Sequence, residues 1–251
     1  MNDKLFSFCV GCEPEDIAVR IIITPVFPMN LFKENYEIKK SFKGRIYSGI
    51  SIEHNGKSVT IIRCGIGASM AGDLVVLLKK AKPEKIVFLG SCGGFGNLKI
   101  GDIVIAEKVF DGEGFSRYFN NENGFEGILA DGKYINCEKQ IFNETVQHLK
   151  NRSEKHNVIN GKVYTIGSFA VEKIYNMQTL EDKGFDCVEM ELSAVYTAGY
   201  YVKVPVAGIL AVSDIPLKRS IEDGLDNSQM MKYDETVKFL AKSVMKNLLQ
   251  I

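Results

Sequence analysis

Residues 85–94 read Lys-Ile-Val-Phe-Leu-Gly-Ser-Cys-Gly-Gly, an apolar run that passes directly into small residues. A second run at residues 204–213, Val-Pro-Val-Ala-Gly-Ile-Leu-Ala-Val-Ser, is also continuously apolar. Strands of this kind are typical of a sheet whose two faces are both covered by helices. Segments with helical periodicity alternate with such runs along the chain. The pattern therefore predicts an α/β fold.

The periodicity predicts strands and helices over most of the chain. The predicted strands are 19–26, 45–53, 58–64, 85–90, 103–110, 162–166, 186–190 and 204–213. The predicted helices are 69–81, 138–150, 172–182, 192–201 and 229–249. Asn55-Gly56 is a strong hairpin signal, so the sheet is expected to be mixed. Ser69 is expected to cap the helix that follows it.

Charge and length narrow the class of protein. Lys and Arg number 31 and Asp and Glu number 31, so the formal net charge is zero. This balance argues against a nucleic-acid binder and a polybasic membrane anchor, but it leaves room for a small anionic ligand. A chain of 251 residues fits one domain, residues 1–251, and can bury a core without disulfide or metal staples.

The apolar segments and the cysteines point to a cytoplasmic protein. The longest apolar stretch is much shorter than the roughly 20 residues of a membrane-spanning helix, and we expect no signal peptide. Only Cys9 and Cys12, among six cysteines, form a Cys-x-x-Cys motif, and no second pair completes a metal site. Buried free thiols are the expected state of these residues, while the role of Cys9 and Cys12 stays open.

Two glycine-rich turns follow apolar strands, at residues 65–69 and 90–96. Both place small residues at the carboxyl end of a strand, where open α/β sheets bind ligands. Glycines there let backbone N–H groups approach an anion or a sugar. Tight turns that serve packing alone explain these glycines equally well.

Three carboxylates stand out near the ends of predicted strands. Glu189 and Glu191 are two residues apart on an extended segment, so their side chains are expected on one face, where ribose hydroxyls are suitable donors. The alternative is that one of them, Glu191, is a helix N-terminal acid. Asp214 ends a buried strand and is a candidate general acid, although a capping role is about as plausible from its position alone.

Three short motifs of this chain resemble, in their order and spacing, those of the nucleoside phosphorylase superfamily. They are Gly90–Gly94 (GSCGG), Val188–Glu191 (VEME) and Val212–Asp214 (VSD). This superfamily includes purine nucleoside and uridine phosphorylases and methylthioadenosine/adenosylhomocysteine nucleosidases. The resemblance runs from about Ile21 to the final helix. It implies a three-layer α/β/α sandwich with a mixed central sheet. It also implies cleavage of a nucleoside N-glycosidic bond through an oxocarbenium-like transition state.

The resemblance also implies roles for individual residues. Glu191 would bind the ribose hydroxyls, with Met190 under the sugar and Glu189 alongside. Asp214 would protonate a purine leaving group. The remaining residues that it implies are Phe169 and Tyr175 beside the base, Ser91 on phosphate, and Arg45, which reaches phosphate in a neighbouring subunit of a dimer or a trimer of dimers.

The phosphate site departs from the family pattern. Residues 26–30 lack the family's glycine and arginine, and Phe88 stands where another arginine is expected. Arg63 could replace part of this charge, or it could form a salt bridge with a loop carboxylate. The sequence thus predicts a transferase with an atypical phosphate site, with phosphate as co-substrate and no metal or cofactor. A phosphate-independent nucleosidase is one alternative, although residues 27–29 lack the glutamate with which such enzymes position water. A catalytically weak nucleoside-binding protein is the other.

Overall fold

The computed structural model describes residues 3–33, 36–119, 134–153, 155–170, 174, 176–218 and 224–250. Its strands are β1 Arg20–Thr24, β2 Glu37–Lys43, β3 Ser48–His54, β4 Lys57–Arg63, β5 Lys85–Gly94, β6 Ile103–Asp111, β7 Tyr134–Asn136, β8 Val158–Thr165, β9 Cys187–Glu189 and β10 Val206–Asp214. Its helices are α1 Asp3–Val10, α2 Ala68–Leu78, α3 Lys139–Lys150, α4 Met177–Asp182, α5 Leu192–Val202 and α6 Asn227–Leu249.

The expected three-layer fold with a mixed sheet is confirmed. The strands pair in the order β10-β6-β8-β9-β5-β1-β4-β3-β2, with β7 added to β6. The pairs β1–β4, β1–β5 and β5–β10 are parallel, whereas β3–β4 and β6–β10 are antiparallel. Helices α2 and α5 pack together, and α3 meets α6 through His148 and Ser243.

Strand β5 is the central strand of the molecule because it pairs with three others. Its first half lies beside β1, most of its length lies beside β10, and its glycine-rich end pairs with β9. Since β10 also pairs with β6, the strands β5, β10, β6, β8 and β9 close into a ring. Gly93 lies at the closing point, where a Cβ atom would come within 2.5 Å of the Pro216 ring. A residue without a side chain is therefore required there.

The hairpin at Asn55-Gly56 is confirmed, since β3 and β4 pair from His54 opposite Lys57 and both loop residues have positive φ. The strand predicted to begin at Arg45 is wrong at its start: β3 begins at Ser48, and Arg45 lies in the turn after β2. The sequence pattern missed β2 because it is an edge strand with one buried residue, Phe42.

The predicted cap of α2 is also wrong. The N-cap residue is Gly67, with φ of 111°, and Ser69 lies inside the helix. The Gly67 N–H instead donates to the carboxylate of Glu191, 2.6 Å away. The start of α2 therefore carries no side-chain cap, and a long-range contact holds the N–H of its N-cap residue.

All six cysteines are buried and free, as the sequence predicted. In the described part of the chain, no helix is both long enough and apolar enough to cross a membrane.

Candidate functional site

A cleft opens at the carboxyl ends of β1, β5 and β10, beside the junction of β9 with α5. Parallel strands place their carboxyl ends at one edge of a sheet, so the turns that follow them converge there. The lining residues are Pro25, Val26, Ile66, Ser91, Cys92, Gly93, Phe169, Val188, Glu189, Met190, Glu191, Ser213 and Asp214. Most of the residues predicted for a nucleoside site are therefore brought together.

Glu189 and Glu191 are both buried in this cleft, but they have different partners. The Glu189 carboxylate accepts hydrogen bonds from the backbone N–H groups of Glu191 and Leu192, at 2.7 and 2.8 Å, and from the Thr165 hydroxyl. Glu189 therefore supplies the hydrogen-bond acceptor for backbone N–H groups at the start of α5. Glu191 does lie at the N-terminus of α5, as its N-cap residue, but its side chain makes no capping hydrogen bond to this helix and accepts instead from the Gly67 N–H.

Burial raises the pKa of both glutamates, and the charge of Glu191 adds to the effect at Glu189. The hydrogen bonds from backbone N–H groups oppose this shift without cancelling it. Two adjacent buried carboxyl groups cannot both ionise easily, so the pair retains a proton at a pH where exposed glutamates are ionised.

Asp214 ends β10 and is buried at the floor of the cleft. Its Oδ1 accepts a hydrogen bond of 2.8 Å from the hydroxyl of Ser213. Burial raises the pKa of the Asp214 carboxyl, and the Ser213 bond only partly offsets this. A carboxyl group that stays protonated above its usual range is suited to general-acid catalysis.

Ser91 lines the cleft, and its hydroxyl has a partner that sequence reasoning missed. Its Oγ lies 2.5 Å from the Oη of Tyr233, in the second turn of α6. Tyr233 reads as one more residue on a helix with an apolar stripe. Nothing in its local sequence signals a contact with a residue 142 positions away.

The two predicted phosphate-binding arginines lie outside the cleft lining. Arg63 is exposed and donates from Nη2 to the carbonyl of Val26 at 3.2 Å, so it borders the cleft through that residue. This contact is neither the phosphate site nor the salt bridge considered from the sequence. Arg45 is exposed in the turn between β2 and β3, where its backbone N–H donates to the Phe8 carbonyl.

Two of the residues expected near the base and the sugar line the cleft. Phe169 lines the cleft and is 67% exposed, and Met190 lines it half-buried. Tyr175 lies outside the described residues. Phe88 is fully buried in the core, so its position supplies no charge to the cleft.

The charged side chains in the described lining of the cleft are all acidic. Its described lining contains three carboxylates, Glu189, Glu191 and Asp214, and no Lys, Arg or His. Over the residues that the structure describes, no cluster of three or more His, Cys, Asp or Glu side chains could hold a metal ion. The arrangement can accept hydrogen bonds from sugar hydroxyls and stabilise developing positive charge, and it is poorly suited to a dianion.

Comparison with known proteins gives a consistent result. A family model described as the phosphorylase superfamily matches residues 21–249. A 5'-methylthioadenosine/S-adenosylhomocysteine nucleosidase from Bacillus cereus is 30% identical over 197 residues, 74% of this chain and 81% of the relative.

Two solved structures share the fold at 19% identity. Uridine phosphorylase from Vibrio fischeri superposes with a TM-score of 0.78 over 95% of this chain and 95% of the other. Purine nucleoside phosphorylase from Toxoplasma gondii superposes with a TM-score of 0.73 over 96% and 95% of the two chains. At this identity, the likeness establishes the architecture only.

Proposed function

This chain belongs to the phosphorylase superfamily, and from that premise we propose that it cleaves the N-glycosidic bond of a purine nucleoside with water as the acceptor. The observation that carries the choice of water is the charge of the cleft, whose described lining holds three carboxylates and no cation. A phosphate dianion that leaves water needs cationic donors, ideally bidentate arginines. Water needs none.

The ribose would bind at Glu191. Ribose hydroxyls donate to its carboxylate, and Met190 packs against the sugar. As the bond to the base lengthens, positive charge develops on the sugar ring, and the negative charge shared by Glu189 and Glu191 stabilises it. Because Glu189 is held by three donors, it keeps α5 and therefore Glu191 in place.

The base would leave with a proton from Asp214. The electron pair of the broken bond goes to the base, whose N7 takes the proton. Water adds to the anomeric carbon and loses one proton to solvent, and Asp214 regains a proton from solvent, so the products are the neutral base and free ribose. A purine is favoured over a pyrimidine because its N7 can receive this proton.

Phosphorolysis is the second candidate function. It is supported by Ser91 in the cleft and by Arg63 at its border, held 3.2 Å from the Val26 carbonyl. In an oligomer, Arg45 from a neighbouring chain would add a second cation. A rebuilt phosphate site of this kind would need Arg63 to release the Val26 carbonyl.

The deciding experiment measures base release from inosine and adenosine in phosphate-free buffer and with added phosphate, with uridine for comparison. Separation of the sugar product distinguishes free ribose from ribose 1-phosphate. We expect free ribose at equal rates in both buffers. Phosphate-dependent release of ribose 1-phosphate would select the second candidate. Thermal stabilisation by a nucleoside without turnover would indicate a binding protein.

A further inference from the structure

The hydroxyl groups of Ser91 and Tyr233 meet at the edge of the cleft, 2.5 Å apart. Ser91 belongs to the glycine-rich end of β5 and lines the cleft, whereas Tyr233 reaches it from α6. Neither the nucleoside chemistry described above nor the family motifs give Tyr233 a role.

The direction of this hydrogen bond follows from the chemistry of the two groups. A phenol is a stronger acid than an alkyl hydroxyl, so Tyr233 donates and Ser91 accepts. Burial raises the pKa of Tyr233, and the charges of Asp234 and Asp214 act in the same direction, although the bond to Ser91 opposes them. The phenol therefore remains a neutral donor at physiological pH.

A serine hydroxyl has one proton and two lone pairs. With one lone pair engaged by Tyr233, Ser91 retains one O–H donor and one lone pair for the cleft. A water molecule can use either one, because it both donates and accepts. A phosphate dianion accepts only and can use the O–H alone.

We propose that Tyr233 is a positioning residue that fixes the rotamer of the Ser91 hydroxyl, so that Ser91 holds the acceptor water for attack. The proposal rests on the proposed hydrolytic function. It places the attacking water beside the Ser91 hydroxyl, which is paired with Tyr233 between β5 and α6. Tyr233 acts through Ser91 and does not itself touch the reacting atoms.

The test is a double-mutant cycle with wild type, Tyr233→Phe, Ser91→Ala and the double variant, measured as kcat and KM for a purine nucleoside in phosphate-free buffer. Each single substitution is expected to lower kcat roughly tenfold, the effect of one lost hydrogen bond, with KM changed less than about twofold. The double variant should be no slower than Ser91→Ala, because Tyr233 acts only through Ser91.

Tyr200→Phe is the matched control, since it removes a phenol hydroxyl that bonds the Asn136 carbonyl away from the cleft. It should leave kcat and KM unchanged. Thermal unfolding of every variant shows whether it is folded at the assay temperature, and any less stable variant is assayed below its transition. The proposal would be overturned if the kcat losses of the two single variants multiply in the double variant. It would also be overturned if Tyr233→Phe changes KM and leaves kcat unchanged.

The cycle also separates this proposal from the hydrolytic function. If wild type shows no turnover, that function fails, and the same four proteins are compared by the rise in Tm that inosine produces. If the double variant loses less of this Tm rise than the two single variants together, the Ser91 and Tyr233 hydroxyls act as a pair where the ligand binds, and their coupling is retained. Additive losses, or no rise in wild type, would overturn it.

Discussion

Asp214 shows how much one residue's surroundings determine its chemistry. Its position after an apolar run suggests either a cap or an acid, and the sequence alone does not separate them. The structure buries the carboxyl in the cleft and supplies one hydroxyl donor, from Ser213. Because burial raises its pKa, the group remains protonated further into the working pH range than an exposed aspartate.

Substitution of Asp214 by Asn should lower kcat/KM for a purine nucleoside by about 100-fold or more, because Asn cannot give a proton to the base. In wild type the acid must be protonated, so kcat/KM should fall as pH rises through the raised pKa of Asp214. This alkaline decrease should be absent in the variant. The measurement is kcat/KM as a function of pH.

The control for this prediction is Asp182→Asn, which removes an exposed carboxylate at the end of α4, outside the cleft lining. It should retain both the rate and the pH profile of wild type. An Asp214→Asn variant with full activity, or with the same alkaline decrease, would reject Asp214 as the acid.

Helix α5 links the site to the sheet, and its sequence indicates why it is buried. Most of its residues are small or apolar, and Tyr200 is its one exposed residue. Tyr196, a fully buried residue of this helix, donates from Oη to the Ala106 carbonyl at 2.7 Å and accepts from the Gly208 N–H at 3.0 Å. The helix thereby bridges β6 and β10 next to a register shift in β6.

Replacement of Tyr196 by Phe should therefore reduce the free energy of unfolding by about 2 kcal/mol, since it leaves a buried carbonyl and a buried N–H without this partner. Urea unfolding monitored by circular dichroism measures the change. Tyr200→Phe, four residues later, is the matched control, because its hydroxyl makes one bond near the surface. Its effect should stay within about 0.5 kcal/mol. Equal effects of the two substitutions would contradict this account of Tyr196.

At the scale of the whole molecule, exposed apolar side chains lie on the segments next to Arg45. Phe8 of α1 and Ile46 are 58% and 47% exposed. Backbone hydrogen bonds from Arg45 to the Phe8 carbonyl and from Ile46 to the Cys9 carbonyl place them side by side. Leu5, also on α1, adds a third exposed apolar side chain. Such a patch beside the arginine that the resemblance places in a neighbour's site is consistent with contact between copies of this chain.

We predict that the protein in solution has at least twice the 28.0 kDa mass of one chain. Phe8→Glu should shift it toward monomer, because burying the added charge in the contact is costly. Multi-angle light scattering after size-exclusion chromatography measures both masses. Met231→Glu, which alters a similarly exposed residue on α6, should leave the mass unchanged. A monomeric wild type would contradict the prediction.

Much of the fold follows from local patterns. The apolar run of β5, the Asn55-Gly56 hairpin and the last helix, α6, could all be predicted, since each depends on neighbouring residues alone. The edge strand β2 could not, because most of its side chains are exposed and it lacks the alternation of a half-buried strand. The capping prediction for Ser69 failed because α2 begins one residue earlier, after a glycine N-cap with positive φ whose N–H donates to Glu191, a residue far along the chain.

The sequence by itself determined the α/β class, the mixed sheet, and the motifs around Ser91, Glu189, Glu191 and Asp214. Only the tertiary structure decided that Glu189 rather than Glu191 supports α5, that Tyr233 meets Ser91, and that five strands close into a ring. The reason is physical. Periodicity and turn chemistry act between neighbours in sequence, whereas burial, charge pairing and hydrogen bonds between distant segments exist only after the chain has folded.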